Sequence, residues 1–210
     1  LPALRQQHLV HVPADLRATA QFLDGANGSS FLLSAIYGLS NQYPAAINLV
    51  LDPGMAFGTG SHPTTRLCLE WLERNVAEGC SVLDYGCGSG ILAIAAARLG
   101  AGRVAGVDID PQAVAAARAN AERNGVTALF ADSAVPVAGE YDLVVANILS
   151  NPLRVLAPAI CAHVRAGGRL ALSGILREQA DEIIAIYAQW LPLKVADVRE
   201  DWVCLAGTRP

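Results

Sequence analysis

Asp84-Tyr85-Gly86-Cys87-Gly88-Ser89-Gly90 ends a short aliphatic run and opens an Ala/Ile/Leu-rich one. That order of residue types predicts a strand, a tight turn and a helix. Glycines at 86, 88 and 90 let a ligand come close to the backbone, and the helix N-terminus offers unpaired N–H groups. About 20 residues further on, Val104-Ala105-Gly106-Val107 ends in Asp108, followed by Ile109. An acid there stands where a ribose-binding carboxylate sits in a nucleotide-binding βαβ unit. Together the two stretches read as a site for an adenosine-containing ligand. The phosphate-binding solutions are missing. A dinucleotide fingerprint needs a small residue where Ile91 stands, and a P-loop needs Gly-Lys-Ser/Thr, whereas the only lysine is Lys194.

The elements that must position these residues alternate along the chain. Ala46–Leu51 reads as a strand, and the glycine- and proline-rich stretch 52–65 as a shaped loop that clamps or covers a ligand. Pro63 suits the first turn of a helix to about Ala77, with His62 either in the site or capping that helix. Asp110-Pro111 starts a helix that Gly125 closes. Strands are expected at Ala128–Ala131, with Asp132 at its end, at Leu143–Ala146, ending in Asn147, and at Arg169–Ile175 after a Gly167-Gly168 turn. Helices are expected from about Pro152 to Val164 and over Glu178–Trp190, and Val195–Glu200 with Trp202–Ala206 as a terminal antiparallel hairpin. This is an α/β, Rossmann-like pattern: a mostly parallel sheet with helices on both faces. Ligands in such sheets bind beyond the C-terminal strand ends, where Gly86, Asp108, Asp132 and Asn147 all fall.

Residues 1–45 carry less pattern. His8–Val12 suggests a short strand, Asp15 a cap for a helix through Phe22, and 24–30 a loop. Residues 46–210 are expected to form the ligand-binding domain and 1–45 a separate segment. Hydrophobic residues at 53% and charged ones at 16% imply a well-buried core and exclude a disordered chain. A net charge of -4 argues against a nucleic-acid binder, which needs a basic face. Five cysteines, Cys68, Cys80, Cys87, Cys161 and Cys204, are scattered without Cys-x-x-Cys spacing, so they read as reduced, buried residues and no metal site is expected. No apolar run is long enough to span a bilayer and no signal peptide is apparent, so the expected location is the cytoplasm. Asp142 and Asp181 read as members of solvated faces.

The turn at 84–90 resembles the first motif of the class I S-adenosylmethionine methyltransferases. A longer set, Leu51–Thr65 with its Phe57-Gly58-Thr59-Gly60-Ser61-His62-Pro63-Thr64-Thr65 core, Asp84–Leu92, Asp108–Pro111, Asn147-Ile148-Leu149 and Pro152-Leu153, resembles the bacterial ribosomal protein L11 methyltransferase family. The resemblance implies S-adenosyl-L-methionine as cofactor, S-adenosyl-L-homocysteine as product, and methylation of lysine and N-terminal amines of that ribosomal protein. It implies that Thr65 meets the cofactor's methionyl end, that Gly86, with Gly88 and Gly90, forms the turn beneath it, that Asp108 binds the ribose hydroxyls, and that Asn147 serves the reacting end. Asp84, facing the turn, is a further candidate for cofactor contact, as are Ile109 and Asp132. Phe57, His62, Ile148 and Leu149 would line the substrate loop and exclude water. Other readings of the same site are N-methylation of another protein or a small molecule, or cofactor binding without activity. A nicotinamide oxidoreductase is disfavoured by Ile91.

Overall fold

The computed structural model describes residues 20–24, 30–34, 47–51, 62–133 and 137–210. Strands β1 (Ala20–Asp24), β2 (Ser30–Ser34) and β3 (Ile47–Val50) form a small sheet in which β1 and β2 are antiparallel and β2 and β3 parallel. A helix through Phe22 was the expectation from Asp15. Phe22 instead pairs with Leu32 in the β1–β2 ladder, where non-local pairing overrides local helix signals. The expectation for 8–12 lies outside the described residues. The small sheet runs across residue 46, and Asn124 ties β3 to the larger body by accepting the Val50 N–H at 2.9 Å and donating to the Val50 carbonyl at 2.7 Å.

The remaining elements alternate: α1 (Pro63–Asn75), β4 (Ser81–Tyr85), α2 (Ile91–Arg98), β5 (Arg103–Asp108), α3 (Pro111–Arg123), β6 (Leu129–Asp132), β7 (Tyr141–Asn147), α4 (Ser150–Ala162), β8 (Val164–Leu176), a 3-10 turn (Arg177–Gln179), α5 (Ala180–Tyr187), β9 (Leu193–Arg199) and β10 (Trp202–Thr208). The seven strands of the main sheet run in the order β6-β5-β4-β7-β8-β10-β9. The first five are parallel, and β10 joins β8 and β9 antiparallel on either side. This is the mostly parallel sheet with a C-terminal hairpin that the sequence pattern predicts.

Two cores sandwich the sheet. Val82, Leu143 and Val145 face α1, α2 and α3 through Leu67, Trp71, Ile94 and Val114. Leu83, Val144 and Ala146 face α4 and α5 through Leu153, Ile160, Ile183 and Tyr187. Successive strand residues therefore serve opposite cores, which is why Val82-Leu83 in β4 and Leu143-Val144-Val145-Ala146 in β7 are apolar without alternation. Asp142 is not simply solvated. It accepts the Ser81 N–H at 2.8 Å and the Ser81 hydroxyl at 2.6 Å, and these bonds hold its carboxyl down at about 2. It thereby pins the N-terminal starts of β4 and β7 together. Gly167 and Gly168 lie inside β8, where the register against β7 jumps from Tyr141↔Val164 to Leu143↔Arg169. The long helix expected over Glu178–Trp190 begins as the 3-10 turn and ends at Tyr187.

Candidate functional site

The glycine turn is built by the strands on either side of it. The Gly86 and Cys87 N–H groups both donate to the Val107 carbonyl, at 2.8 and 2.9 Å, and Gly90 N–H closes back onto Cys87 at 2.8 Å. Gly86, Gly88 and Gly90 all have left-handed backbones, with φ of 80°, 51° and 80°. Only glycine adopts these without strain, so the three spaced glycines in the sequence are a conformational requirement. Gly90 is also the N-cap of α2 and brings no capping side chain. Asp84 supplies the missing cap from the preceding strand, its Oδ2 accepting the Ala93 N–H at 3.1 Å. Its other oxygen, Oδ1, is buried without a protein partner. Burial pushes the Asp84 carboxyl up to about 7, against the pull of the Ala93 bond and with a further push from Asp108.

Asp108 is oriented by the turn it faces. One oxygen accepts the Gly88 N–H at 2.8 Å and the other the Asp110 N–H at 3.0 Å. A carboxylate oxygen has a second lone pair, so each can still accept from a ligand hydroxyl. Asp132 is the register partner of Asp108 on β6, and Ile109, next along the chain, is 82% exposed at the lip of the site. Asn120 reaches from α3 to the Ser89 carbonyl at 2.9 Å and fixes the far side of the turn. Cys87 within the turn is buried, and burial with Asp84 and Asp108 nearby raises its thiol far above the usual range. It therefore stays a neutral thiol and is no nucleophile.

Across the sheet from Asp108, Asn147 ends β7 beside the first turn of α1. Its Nδ2 donates to Thr65 Oγ1 at 3.3 Å, and Thr65 is fully buried. With Nδ2 on Thr65, the Asn147 amide oxygen is the acceptor that this bond leaves over. His62 is the N-cap of α1: its Nδ1 accepts the Thr64 N–H at 3.3 Å, and its ring meets Trp202 edge-on at 4.9 Å. Ile148 is half-buried over the glycine turn, where a Cβ on Gly86 would overlap its Cγ2, while Leu149 is 67% exposed. Phe57 lies outside the described residues. The structure thus gathers Asp84, Gly86, Gly88, Gly90, Asp108, Asp132, Asn147, Ile148 and Thr65 at the C-terminal ends of β4–β7. Two neighbours escape the sequence reading: Trp202, which backs His62, and Gly174 in β8, which adjoins Ile148. An isolated glycine within a strand pattern was the available signal for the second.

Among the described residues no group of His, Cys, Asp and Glu is arranged to hold a metal ion, and no helix is long and apolar enough to cross a membrane. A groove of about 610 Å³ beside Trp71, Arg74, Arg169 and Lys194 lies at the opposite strand ends and includes none of the site residues.

Comparison with known proteins places this arrangement. The family model described as ribosomal protein L11 methyltransferase (PrmA) matches residues 28–210. A curated ribosomal protein L11 methyltransferase from Dechloromonas aromatica is 90% identical over 167 residues, covering 80% of this chain and 56% of that protein. One from Cupriavidus taiwanensis is 64% identical over the same shares. The chain thus spans little more than half the length of the curated relatives it matches. Among solved structures, the ribosomal protein L11 methylase of Lactobacillus delbrueckii subsp. bulgaricus superposes with a TM-score of 0.78 at 31% identity, over 90% of this chain and 98% of that one. A methyltransferase from Pyrococcus furiosus, at 18% identity and a TM-score of 0.67, shares the fold. With its family model matched over most of its length and its three-glycine turn facing an acid-ended strand, the chain belongs to the ribosomal protein L11 methyltransferase family.

Proposed function

We propose that residues 46–210 form the catalytic domain of an S-adenosyl-L-methionine-dependent protein methyltransferase acting in the cytoplasm on lysine and N-terminal amines of ribosomal protein L11. The observation that carries this reading is the placement of Asp108 and Asn147 on either side of one glycine turn. Asp108 is held by Gly88 and Asp110 so that its free lone pairs suit two ribose hydroxyls. The unpartnered Oδ1 of Asp84 suits an amino group or its water at the methionyl end. Gly86 has the left-handed backbone that the turn needs, and Ile148 packs where a side chain on it would stand. The absence of a lysine or arginine from the turn fits a ligand without a pyrophosphate.

S-adenosylmethionine supplies an activated methyl group on a positive sulfur, so the chain's task is alignment with little further activation. A lysine amine with a reference pKa of about 10.4 arrives mostly as ammonium, and desolvation beside positive charge favours its neutral form. The Asn147 amide oxygen, set by the Thr65 bond, accepts an amine N–H and turns the nitrogen lone pair towards the methyl group. Ile148 and Leu149 exclude water around it. Among the described residues none is arranged as a general base, and the leaving proton passes to solvent.

Calorimetry with S-adenosylmethionine, S-adenosylhomocysteine and NAD, joined to methyl transfer onto L11, tests this. Asp108→Ala is expected to weaken S-adenosylhomocysteine binding by about 2–3 kcal/mol, the scale of charge-assisted hydrogen bonds. Asn147→Ala is expected to keep that affinity within a few fold while turnover falls by roughly 10²-fold. Binding of NAD alone, or an Asn147→Ala variant with normal turnover, would overturn the reading; transfer to other amines but not to L11 would move the substrate elsewhere.

A further inference from the structure

The strand β8 carries a bulge at the edge of the site. Leu172 pairs with Leu205 and Ile175 with Val203, so Ser173 and Gly174 together oppose the single residue Cys204. Gly174 is buried with a left-handed φ of 83°, and Ser173 Oγ pins the bulge by donating to the Val203 carbonyl at 3.0 Å. A left-handed backbone at this buried position is one that glycine adopts without strain. The bulge lies where β7 runs out, since Asn147 is the register partner of Ser173.

The space freed at Gly174 is occupied by the reacting segment. A Cβ on Gly174 would fall on the Ile148 carbonyl oxygen and lie 2.7 Å from its carbonyl carbon and 3.3 Å from its nitrogen. These are backbone atoms, which cannot rotate away as a side-chain tip can. On its other side Ile148 packs over Gly86. The peptide that follows Asn147 is thus seated between two glycines with left-handed backbones, one in the cofactor turn and one in the β8 bulge.

We infer that Gly174 is a positioning residue for methyl transfer: the bulge seats the Ile148 peptide and so fixes where the Asn147 amide points. This rests on the reading of Asn147 as the group that aligns the substrate amine. Gly174 touches neither reactant; it acts through Ile148. A side chain at 174 pushes the Ile148 peptide outward, rotates Asn147 away from Thr65 and spoils alignment, while Asp108, held by Gly88 and Asp110 beyond β4, keeps its geometry.

The test uses the full chain with Gly174→Ala and Gly174→Asn. Three quantities are measured: S-adenosylhomocysteine affinity, turnover on L11 at saturating cofactor, and the NMR signals of the Asn147 side-chain amide. Asn tolerates positive φ better than Ala but places its Cβ at the same point. Both variants are expected to shift the Asn147 amide signals and to lower kcat by about ten-fold or more, with affinity held within about three-fold. Unchanged kcat and amide signals in either would overturn the inference. So would an Asn variant that recovers wild-type behaviour, because backbone strain alone would then be the cause. If neither variant folds, Ser173→Ala decides: it frees the bulge by removing the bond to Val203, and a normal Asn147 signal with normal kcat would overturn the inference. Wild-type protein without affinity for S-adenosylhomocysteine would sink the proposed function instead, and the Asn147 signal would still judge the role of Gly174.

Discussion

Asp84 holds a carboxyl group that is only 1% exposed, with one oxygen on the Ala93 N–H and the other without a protein partner. Desolvation raises its pKa from 3.8 to about 7. A raised carboxyl pKa means that the folded state prefers the protonated acid. The resulting stabilisation is complete below about pH 4 and is lost as pH rises towards 7. At about 1.4 kcal/mol per unit the range amounts to at most about 4 kcal/mol. Asp84→Asn keeps an oxygen for Ala93 and never ionises. Urea unfolding of the two proteins across pH 4 to 7 is therefore expected to show the Asn variant gaining on wild type as pH rises. Any constant offset from the new amide leaves that slope untouched, and parallel curves would mean that Asp84 does not titrate in this range. Sequence alone placed Asp84 at the turn, but not its burial or the cap it lends to α2, because both depend on how Gly90 starts that helix.

Elements whose signals are local were legible. Pro63 and Pro111 mark helix starts, Gly125 marks an end, and the spaced glycines mark the turn, since each fixes its own backbone. Contacts between elements were not, and the Gly86–Ile148 packing is one of them: residues 62 positions apart meet only once β4 and β7 are paired side by side. Gly86→Ala adds a methyl group that overlaps Ile148 Cγ2 and forces a left-handed backbone on alanine. Overpacking of this kind costs about 1–3 kcal/mol. Because the obstacle is a side chain, Ile148→Ala relieves it. The Gly86→Ala variant is expected to bind S-adenosylhomocysteine about ten-fold or more weakly, and adding Ile148→Ala to regain part of that loss while the backbone strain remains. A double variant no better than Gly86→Ala would show that φ, and not the collision, sets the cost.

At the scale of the whole molecule, helix and strand alternation was enough to imply the parallel sheet, but not the insertion of β10 between β8 and β9. The clue lay in composition: Val203-Cys204-Leu205-Ala206 is continuously apolar and becomes interior, whereas β9 mixes charge with valine and becomes the edge. That hairpin braces the helix that carries Thr65. Glu70, only 7% exposed on α1, receives Arg66 Nε and Arg199 Nη2 on the same oxygen, each at 2.9 Å. Arg74 adds an outer pair to Asp197 at 3.1 Å. Screening decides which of the molecule's ion pairs matter: Glu140 with Arg209 has side chains 52% and 35% exposed, whereas the Glu70 side chain is 9% exposed. Glu70→Gln removes the charge that two arginines share while keeping the volume, and is expected to cost about 1–3 kcal/mol; its arginines, about a third exposed, recover part of their hydration. Glu140→Gln is expected to stay within about 0.5 kcal/mol. Thermal unfolding should therefore separate the two variants by several degrees. Affinity for S-adenosylhomocysteine should hold in both, because the glycine turn and Asp108 are built on β4 and β5 and do not depend on the hairpin. Equal melting of the two variants would place the bracing of α1 in the apolar contacts of Trp71 and Leu67 and not in Glu70.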